Sequence, residues 1–345
     1  MHHVAIDLGS RESQVCVRRA DGTIELEKKH PTRRLSELLR TVPHSRVILE
    51  TSSEAFRIAD AAKAAGHEVR VVPSTLSKQL GVGERGVKTD LRDARKLSQV
   101  SCQIDLPSVH IPSEQARAAR SILRSREALI ETRTKLINHV RGWMRTQLWK
   151  LRGRGPATLP KRMREQASTE PTRALPDHIE QVLTVIDTLN VQMRMSDQQV
   201  KTLARSNEVC VRLMTTPGVG PVTALSFVAA VDDPKRFPHA YQLASYMGLT
   251  PGENSSSERE RRTGITKAGP SSLRRTLIQA AWTAMRLRPD DPMSRWALQI
   301  AQRRPTQVAA VALARKISCI LLALWRDGST YKPELGARLP EAPTS

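Results

Sequence analysis

Four carboxylates in this chain are spaced for metal-assisted chemistry on a phosphodiester. Asp7 lies in the apolar run His3–Gly9, and Glu50 closes a second apolar run, Arg46–Glu50, so each falls at the end of a strand-like segment. Asp90 and Asp93 stand three apart in the stretch Lys88–Lys96, a spacing that puts both on one face of a helix. Hard oxygen ligands on rigid elements suit magnesium, and two ions roughly 4 Å apart stabilise both the attacking and the leaving oxygen of a displacement. A carboxylate inside a central strand is costly unless it is paired or metal-bound, so Asp7 weighs most. A solvated helix start is the plainer account of Asp90 and Asp93. Taken with Asp7 and Glu50 in this order, the pair points instead to a magnesium site, in which manganese could substitute.

A second candidate is the triplet Ser255-Ser256-Ser257 in the polar stretch Gly248–Gly269. A serine-rich stretch by itself is an ordinary loop. Here Arg259, Arg261, Arg262 and Lys267 could hold a phosphate beside a hydroxyl nucleophile. A serine attacking DNA forms a phosphoserine link that conserves bond energy for rejoining and divides the exchange into two steps. No histidine lies nearby in sequence to act as base, so activation would come from the metal site or another partner. Upstream, Thr216–Ala224 resembles the hairpin of a helix-hairpin-helix. Gly218 and Gly220 permit a tight turn that offers backbone N–H groups at a helix start, suited to a phosphate. A plain helix turn with two glycines is the alternative.

The elements that must position these groups fall into three regions. Short strands are expected at 3–9, 13–18 and 22–28, with Asp21-Gly22 as a hairpin turn. A short helix near Leu35–Leu39, a strand at 46–50, a helix around Glu54–Ala65 ending at Gly66, and a strand over His67–Val72 follow. That order is the order of a ribonuclease-H-like domain, although a plain α/β sheet could share it. Beyond Ser113 the pattern turns to long helices. Leu123, Ile130, Ile137 and Met144 recur every seven residues, and Ile179, Val182, Leu183, Ile186, Leu189, Met193, Val200 and Leu203 form a second stripe. Two such stripes predict an antiparallel hairpin or coiled coil, able to pack on itself or on a second protomer. Their linker, 152–176, is rich in Gly and Pro and is expected to be irregular. The expected domains are therefore 1–108, α/β; 109–206, basic and helical; 207–330, mainly helical, with an apolar helix at Val308–Trp325; and a tail, 331–345.

Composition identifies the partner class. Lys and Arg number 55 against 34 Asp and Glu, a formal net charge of +21 over 345 residues. Phosphate backbones are the polyanions such a chain meets. Residues 117–173 hold 15 Lys or Arg against 4 Glu, and residues 259–288 hold 8 against 1. One-sided local excess of this kind marks a nucleic-acid footprint, with Arg133, Arg141, Arg145, Lys150 and Arg274 as contact candidates. Aromatics make up only 3%, which argues against base stacking and for backbone contacts. No apolar run reaches the roughly 18 residues of a membrane span, so no membrane partner is expected. Cys16, Cys102, Cys210 and Cys319 lack paired spacing, and the opening strand leaves no room for a signal peptide; both fit a reduced, cytoplasmic protein.

Together the motifs Val4-Ala-Ile-Asp-Leu, Ile48-Leu-Glu-Thr, Lys88-Thr-Asp-Leu-Arg-Asp-Ala, Pro217-Gly-Val-Gly-Pro, Tyr246-Met-Gly-Leu-Thr-Pro, Ser255-Ser256 and Gly264-Ile-Thr-Lys-Ala-Gly-Pro-Ser-Ser-Leu-Arg give the chain its resemblance. It resembles the bacterial insertion-sequence transposases with an N-terminal RuvC-like DEDD domain and a C-terminal serine domain. That is the family of the pilin-gene-inverting recombinase and the bridge-RNA-guided recombinases. The resemblance implies a RuvC-like (RNase H-like) fold, then a coiled-coil region, then a mainly helical serine domain. It also implies magnesium at Asp7, Glu50, Asp90 and Asp93, and a serine that attacks DNA. Relatives usually carry Ser-Ser-Gly where this chain has Ser255-Ser-Ser257. Aligning Ser257 with that glycine puts the nucleophile at Ser256, with Ser255 as the alternative. Family members assemble as dimers or tetramers through the long helices, and an active site can combine acids of one protomer with the serine of another. Some use a structured guide RNA. The competing expectation is a RuvC-type, structure-selective endonuclease that uses the same acids with activated water; a third is a basic scaffold that only binds nucleic acid.

Overall fold

The computed structural model describes residues 1–79, 90–151, 153, 155–169, 174–253 and 262–337, with backbone alone at 77–79, 90, 253, 262 and 263. Two compact units divide the chain, Met1–Pro112 and Ser113–Ser345.

The first unit is built on a five-stranded sheet of β1 (His2–Asp7), β2 (Glu12–Arg18), β3 (Ile24–Pro31), β4 (Ser45–Glu50) and β5 (Glu68–Val72), ordered β3-β2-β1-β4-β5. β1, β2 and β3 pair antiparallel, while β4 and β5 run parallel to β1. The mixed sheet follows from the connections: Asp21-Gly22 closes a tight turn, with Gly22 at φ +90°, and the parallel strands need helical crossovers. Helices α1 (Leu35–Thr41) and α2 (Ala55–Ala64) cover one face through Val4, Ile6, Val15, Val17, Val47 and Leu49. α3 (Ser74–Gln79) follows β5, and α4 (Asp90–Gln103) covers the other face, where Ala5, Ile48 and Val72 meet Leu97 and Val100. Each large apolar side chain buried this way contributes about 1.5–3 kcal/mol, so strand alternation fixes which residues face α4. The architecture agrees with the RNase H-like expectation.

The second unit is helical. α5 (Glu114–Thr146) and α7 (Asp177–Ser206) are each about 45–50 Å long at 1.5 Å per residue. They lie antiparallel: Arg126 pairs with Asp197 at 2.6 Å and Arg133 donates to Asn190 at 3.0 Å, so advancing seven residues on one helix retreats seven on the other. Ile137, Val140 and Met144 close on Ile179, Leu183 and Ile186. The linker between them differs from the irregular segment expected, because α6 (Leu159–Thr169) forms within it. Its proline, Pro160, falls in the first turn, where a missing N–H costs nothing.

Next come α8 (Glu208–Leu213), α9 (Pro221–Val231), α10 (Ala240–Tyr246), the two-stranded β6 (Pro251–Glu253) and β7 (Arg262–Ile265), then α11 (Ser271–Leu287), α12 (Pro292–Arg303), α13 (Thr306–Asp327) and α14 (Pro333–Ala337). α9 is buried almost all round. Its last residue hands over to Asp232, which accepts from the Ser113 N–H at 2.9 Å and the Ser113 hydroxyl at 2.5 Å, pinning the start of α5. α13 corrects the expectation that nothing reaches membrane-spanning length, since its 22 residues average a hydropathy of 1.9 over the most apolar window. Arg315 and Lys316 interrupt the run when it is read residue by residue, yet the average stays high. Among the described residues it is one such helix, and 61% of that window is buried within the unit, as befits a core helix.

Candidate active site

The carboxylates are positioned by strand register and helix phase. Asp7 ends β1 and Glu50 ends β4, and the parallel pairing of Ile6 with Leu49 sets them side by side. Alternation places both on the face covered by α4, because Asp7 is two residues from Ala5 and Glu50 two from Ile48, which pack there. α4 runs antiparallel to β1. His3 Nδ1 lies 2.8 Å from Ser101 Oγ, and Cys16, paired with Ala5, lies 3.3 Å from Ser98 Oγ. From Ser101 back to Asp93 the helix rises about 12 Å, and from His3 on to Asp7 the strand rises about 13 Å. Asp93 therefore arrives level with Asp7.

Asp93 belongs to the sheet-facing stripe with Ala94, Leu97 and Ser101, and it is only 4% exposed. Asp7 and Glu50 are half-buried. Asp90 opens α4 one turn before Asp93; its side chain is outside the described set. Among the described residues no three His, Cys, Asp or Glu side chains close into a cage around an ion. The donor chemistry nevertheless fits a hard divalent cation: oxygen ligands only, at one end of one sheet face and on the helix that covers it. Burial holds the nearby His3 imidazole below its ordinary pKa and pushes the Cys16 thiol up.

In the second unit the serine candidates Ser255 and Ser256, with Arg259 and Arg261, lie outside the described residues, as does the side chain of Arg262. The base from which that segment departs is described. β6 and β7 pair antiparallel, Pro251 with Ile265. Gly248 (φ +65°) and Gly269 (φ +71°) cross so closely that a Cβ on Gly269 would sit 1.8 Å from the Tyr246 carbonyl oxygen. Arg274 donates from one nitrogen to the carbonyls of Met247 at 3.0 Å and Ala268 at 2.9 Å, clamping this crossing. Lys267, exposed, adopts φ +56° beside it.

The turn before α9 holds Gly218 at φ +81°, with a Cβ there 2.1 Å from the Ala280 carbonyl oxygen of α11. Gly220 caps α9 and faces open space. Both line a cleft of about 590 Å³ with Arg288 and Tyr331. Arg141, Arg145 and Lys150 are exposed on and after α5, whereas Arg133 is half-buried against Asn190. The internal bonds of Arg133 and Arg274 had no signal in the sequence, since the first needs α7 packed on α5 and the second needs the crossing of Gly248 and Gly269.

Both ends of the chain match models of DNA-mobilising enzymes. A DEDD transposase model of the IS110 type matches residues 4–147, and the model described as "Transposase IS116/IS110/IS902 family" matches residues 210–295. The transposase for insertion sequence element IS1111A of Coxiella burnetii is 31% identical over 71% of this chain and 68% of its own length. A probable family 20 transposase of Pseudomonas aeruginosa is 28% identical over 86% of this chain and 88% of its own. The transposase for insertion sequence element IS1328 of Yersinia enterocolitica is 25% identical over 95% and 98%. These are transposases. The chain belongs to the IS110/IS116 family of them, with a DEDD domain at its N-terminal end.

Proposed function

We propose that this transposase cuts and rejoins DNA of its own insertion sequence through a serine-linked intermediate, with Asp7, Glu50, Asp90 and Asp93 holding magnesium. What supports the reading is that Asp7 and Glu50 end adjacent parallel strands on the sheet face covered by α4, the helix that carries Asp93. Bound there, magnesium or manganese would supply Lewis-acid stabilisation of phosphate charge. The carboxylates would hold the scissile phosphate for attack. As the Ser256 Oγ–P bond forms, a P–O bond of the DNA breaks, and the leaving oxygen takes up a proton to balance the one the serine loses. A strand hydroxyl then reverses the step, restoring the serine. The serine and a structured guide RNA rest on the wider resemblance to serine-type and RNA-guided recombinases, as does assembly into dimers or tetramers.

The test is covalent trapping with magnesium, DNA from the ends of the element, and RNA co-purified from the host. A protein–DNA adduct on a denaturing gel, lost in Ser256→Ala, in Asp7→Asn and on chelation with EDTA, supports the proposal. Nicked DNA without adduct, unaffected by Ser256→Ala, replaces the serine with activated water. An adduct that persists in Ser256→Ala and disappears in Ser255→Ala moves the nucleophile by one residue.

A further inference from the structure

The sheet extends the carboxylate site sideways. Asp7 pairs with Gln14 on β2, and Gln14 pairs with Lys29 on β3, so Glu50, Asp7, Gln14 and Lys29 form one row across four strands. All four share the α4 face. Gln14 is two residues from Cys16, whose thiol meets Ser98 of α4, and Lys29 is two from Glu27, which is bonded to Arg95 of α4. Gln14 is only 4% exposed, and its amide brings two donors and an acceptor to this row. Lys29 is exposed beside it.

Both line a cavity of about 280 Å³ under the β1–β2 loop, whose wall carries the cations Arg11 and Lys29 and one acid, Glu12. The loop is fixed in advance. Thr32 Oγ1 donates to the Gly9 carbonyl at 2.7 Å and lies 2.7 Å from Ser13 Oγ. A Cβ on Gly9 would meet the Glu12 carbonyl oxygen at 2.2 Å, so only glycine allows this close return.

We infer that Gln14 and Lys29 are positioning residues that hold a backbone phosphate of the strand cut at the carboxylates: Lys29 neutralises it and the Gln14 amide donates to it. The inference rests on the proposed role of Asp7. Two strand spacings separate Lys29 from Asp7, about 10 Å, or about three steps of a stacked strand at 3.4 Å each.

The experiment uses full-length protein and short duplexes of the element's own end, each with a single neutral methylphosphonate at a different position. Binding is read in calcium and nicking in magnesium. Wild type should lose about tenfold in affinity at one position within about three nucleotides of the nick. Lys29→Ala should bind every duplex more weakly, lower the slope of log K against log salt by about 0.9, and stop responding at that one position. Lys29→Arg should restore both, a rescue that a merely structural role would not give. Gln14→Leu should blunt the same position with the salt slope kept. An unchanged slope in Lys29→Ala, or a sensitive position remote from the nick, overturns the subsite. Asp7→Asn separates the two ideas: nicking at the wild-type rate sinks the carboxylate reading, whereas lost nicking with no Lys29-dependent phosphate sinks only the subsite.

Discussion

The two units hold their candidate chemistry by opposite means. In the first, the polar groups sit on the sheet itself. Register aligns Glu50, Asp7, Gln14 and Lys29, and the helix that covers their face carries Asp93. In the second, the candidate nucleophile belongs to the segment between β6 and β7, whose base is built from Gly248, Gly269 and the Arg274 clamp. A side chain on a strand can be exchanged for an isostere without disturbing the backbone that carries it. A glycine at a van der Waals crossing cannot. The first unit should therefore lose activity while keeping its fold, and the second should lose its fold when its crossings are touched.

The largest expected effect tests the first half of that contrast. Asp93→Asn removes the charge of a proposed metal ligand with almost no change of shape, and on that proposal strand cutting should fall by about a thousandfold, the several kcal/mol that metal stabilisation supplies. The same variant should melt close to wild type, because the amide has the shape and volume of the carboxylate it replaces. Circular dichroism beside a cutting assay reads both. Loss of stability in step with activity would mean that Asp93 is structural. Gly218→Val tests the second half. Its Cβ would lie 2.1 Å from the Ala280 carbonyl in a backbone at φ +81°, so denaturant unfolding should show the helical unit weakened by more than about 3 kcal/mol. A near-wild-type midpoint would show that α11 can move away from the turn.

How much of this was legible in sequence follows the same division. Short apolar runs mark β1, β4 and β5, and Asp21-Gly22 marks the hairpin, because these signals are local. Asp7, Glu50 and the Asp90/Asp93 spacing are visible because a carboxylate in an apolar run is conspicuous. Gln14 and Lys29 are ordinary residues until strand pairing places them beside Asp7. α6 hides in a segment rich in Gly and Pro, because a proline in a first turn looks the same as a proline in a loop. Arg133 and Arg274 read as nucleic-acid contacts; packing of α7 on α5 gives the first Asn190, and the glycine crossing gives the second two carbonyls.

A smaller effect probes the long helix pair. Asn190 is 6% exposed, accepts from Arg133 at 3.0 Å and donates to the Ala157 carbonyl at 3.0 Å, joining α5, α7 and the start of the linker. Asn190→Ala strands a buried guanidinium and a carbonyl together, and should cost about 2 kcal/mol. Asn190→Leu combined with Arg133→Leu should recover much of it, since a matched apolar pair leaves nothing unsatisfied. If the double variant is no better than the single one, the pair sets register rather than contributing stability.

Lys316 carries the smallest effect and the only one of opposite sign. It lies in α13, 3% exposed, with its ammonium 4.7 Å above the Trp296 ring and no hydrogen-bond partner. Burial lowers its pKa, with the Asp291 charge opposing that shift more weakly. The unfolded chain then binds the proton more tightly than the folded one, so stability rises with pH between the folded and unfolded values. Lys316→Met keeps the length and the contact with Trp296 while removing the charge, and should stabilise the unit by about 1 kcal/mol at neutral pH. The gain should shrink as pH approaches the unfolded lysine value, about 10.4, where both proteins bury a neutral side chain. Melting curves across that range decide it. A gain independent of pH would assign the effect to packing, and a loss would mean that the ammonium–indole contact outweighs the desolvation it requires.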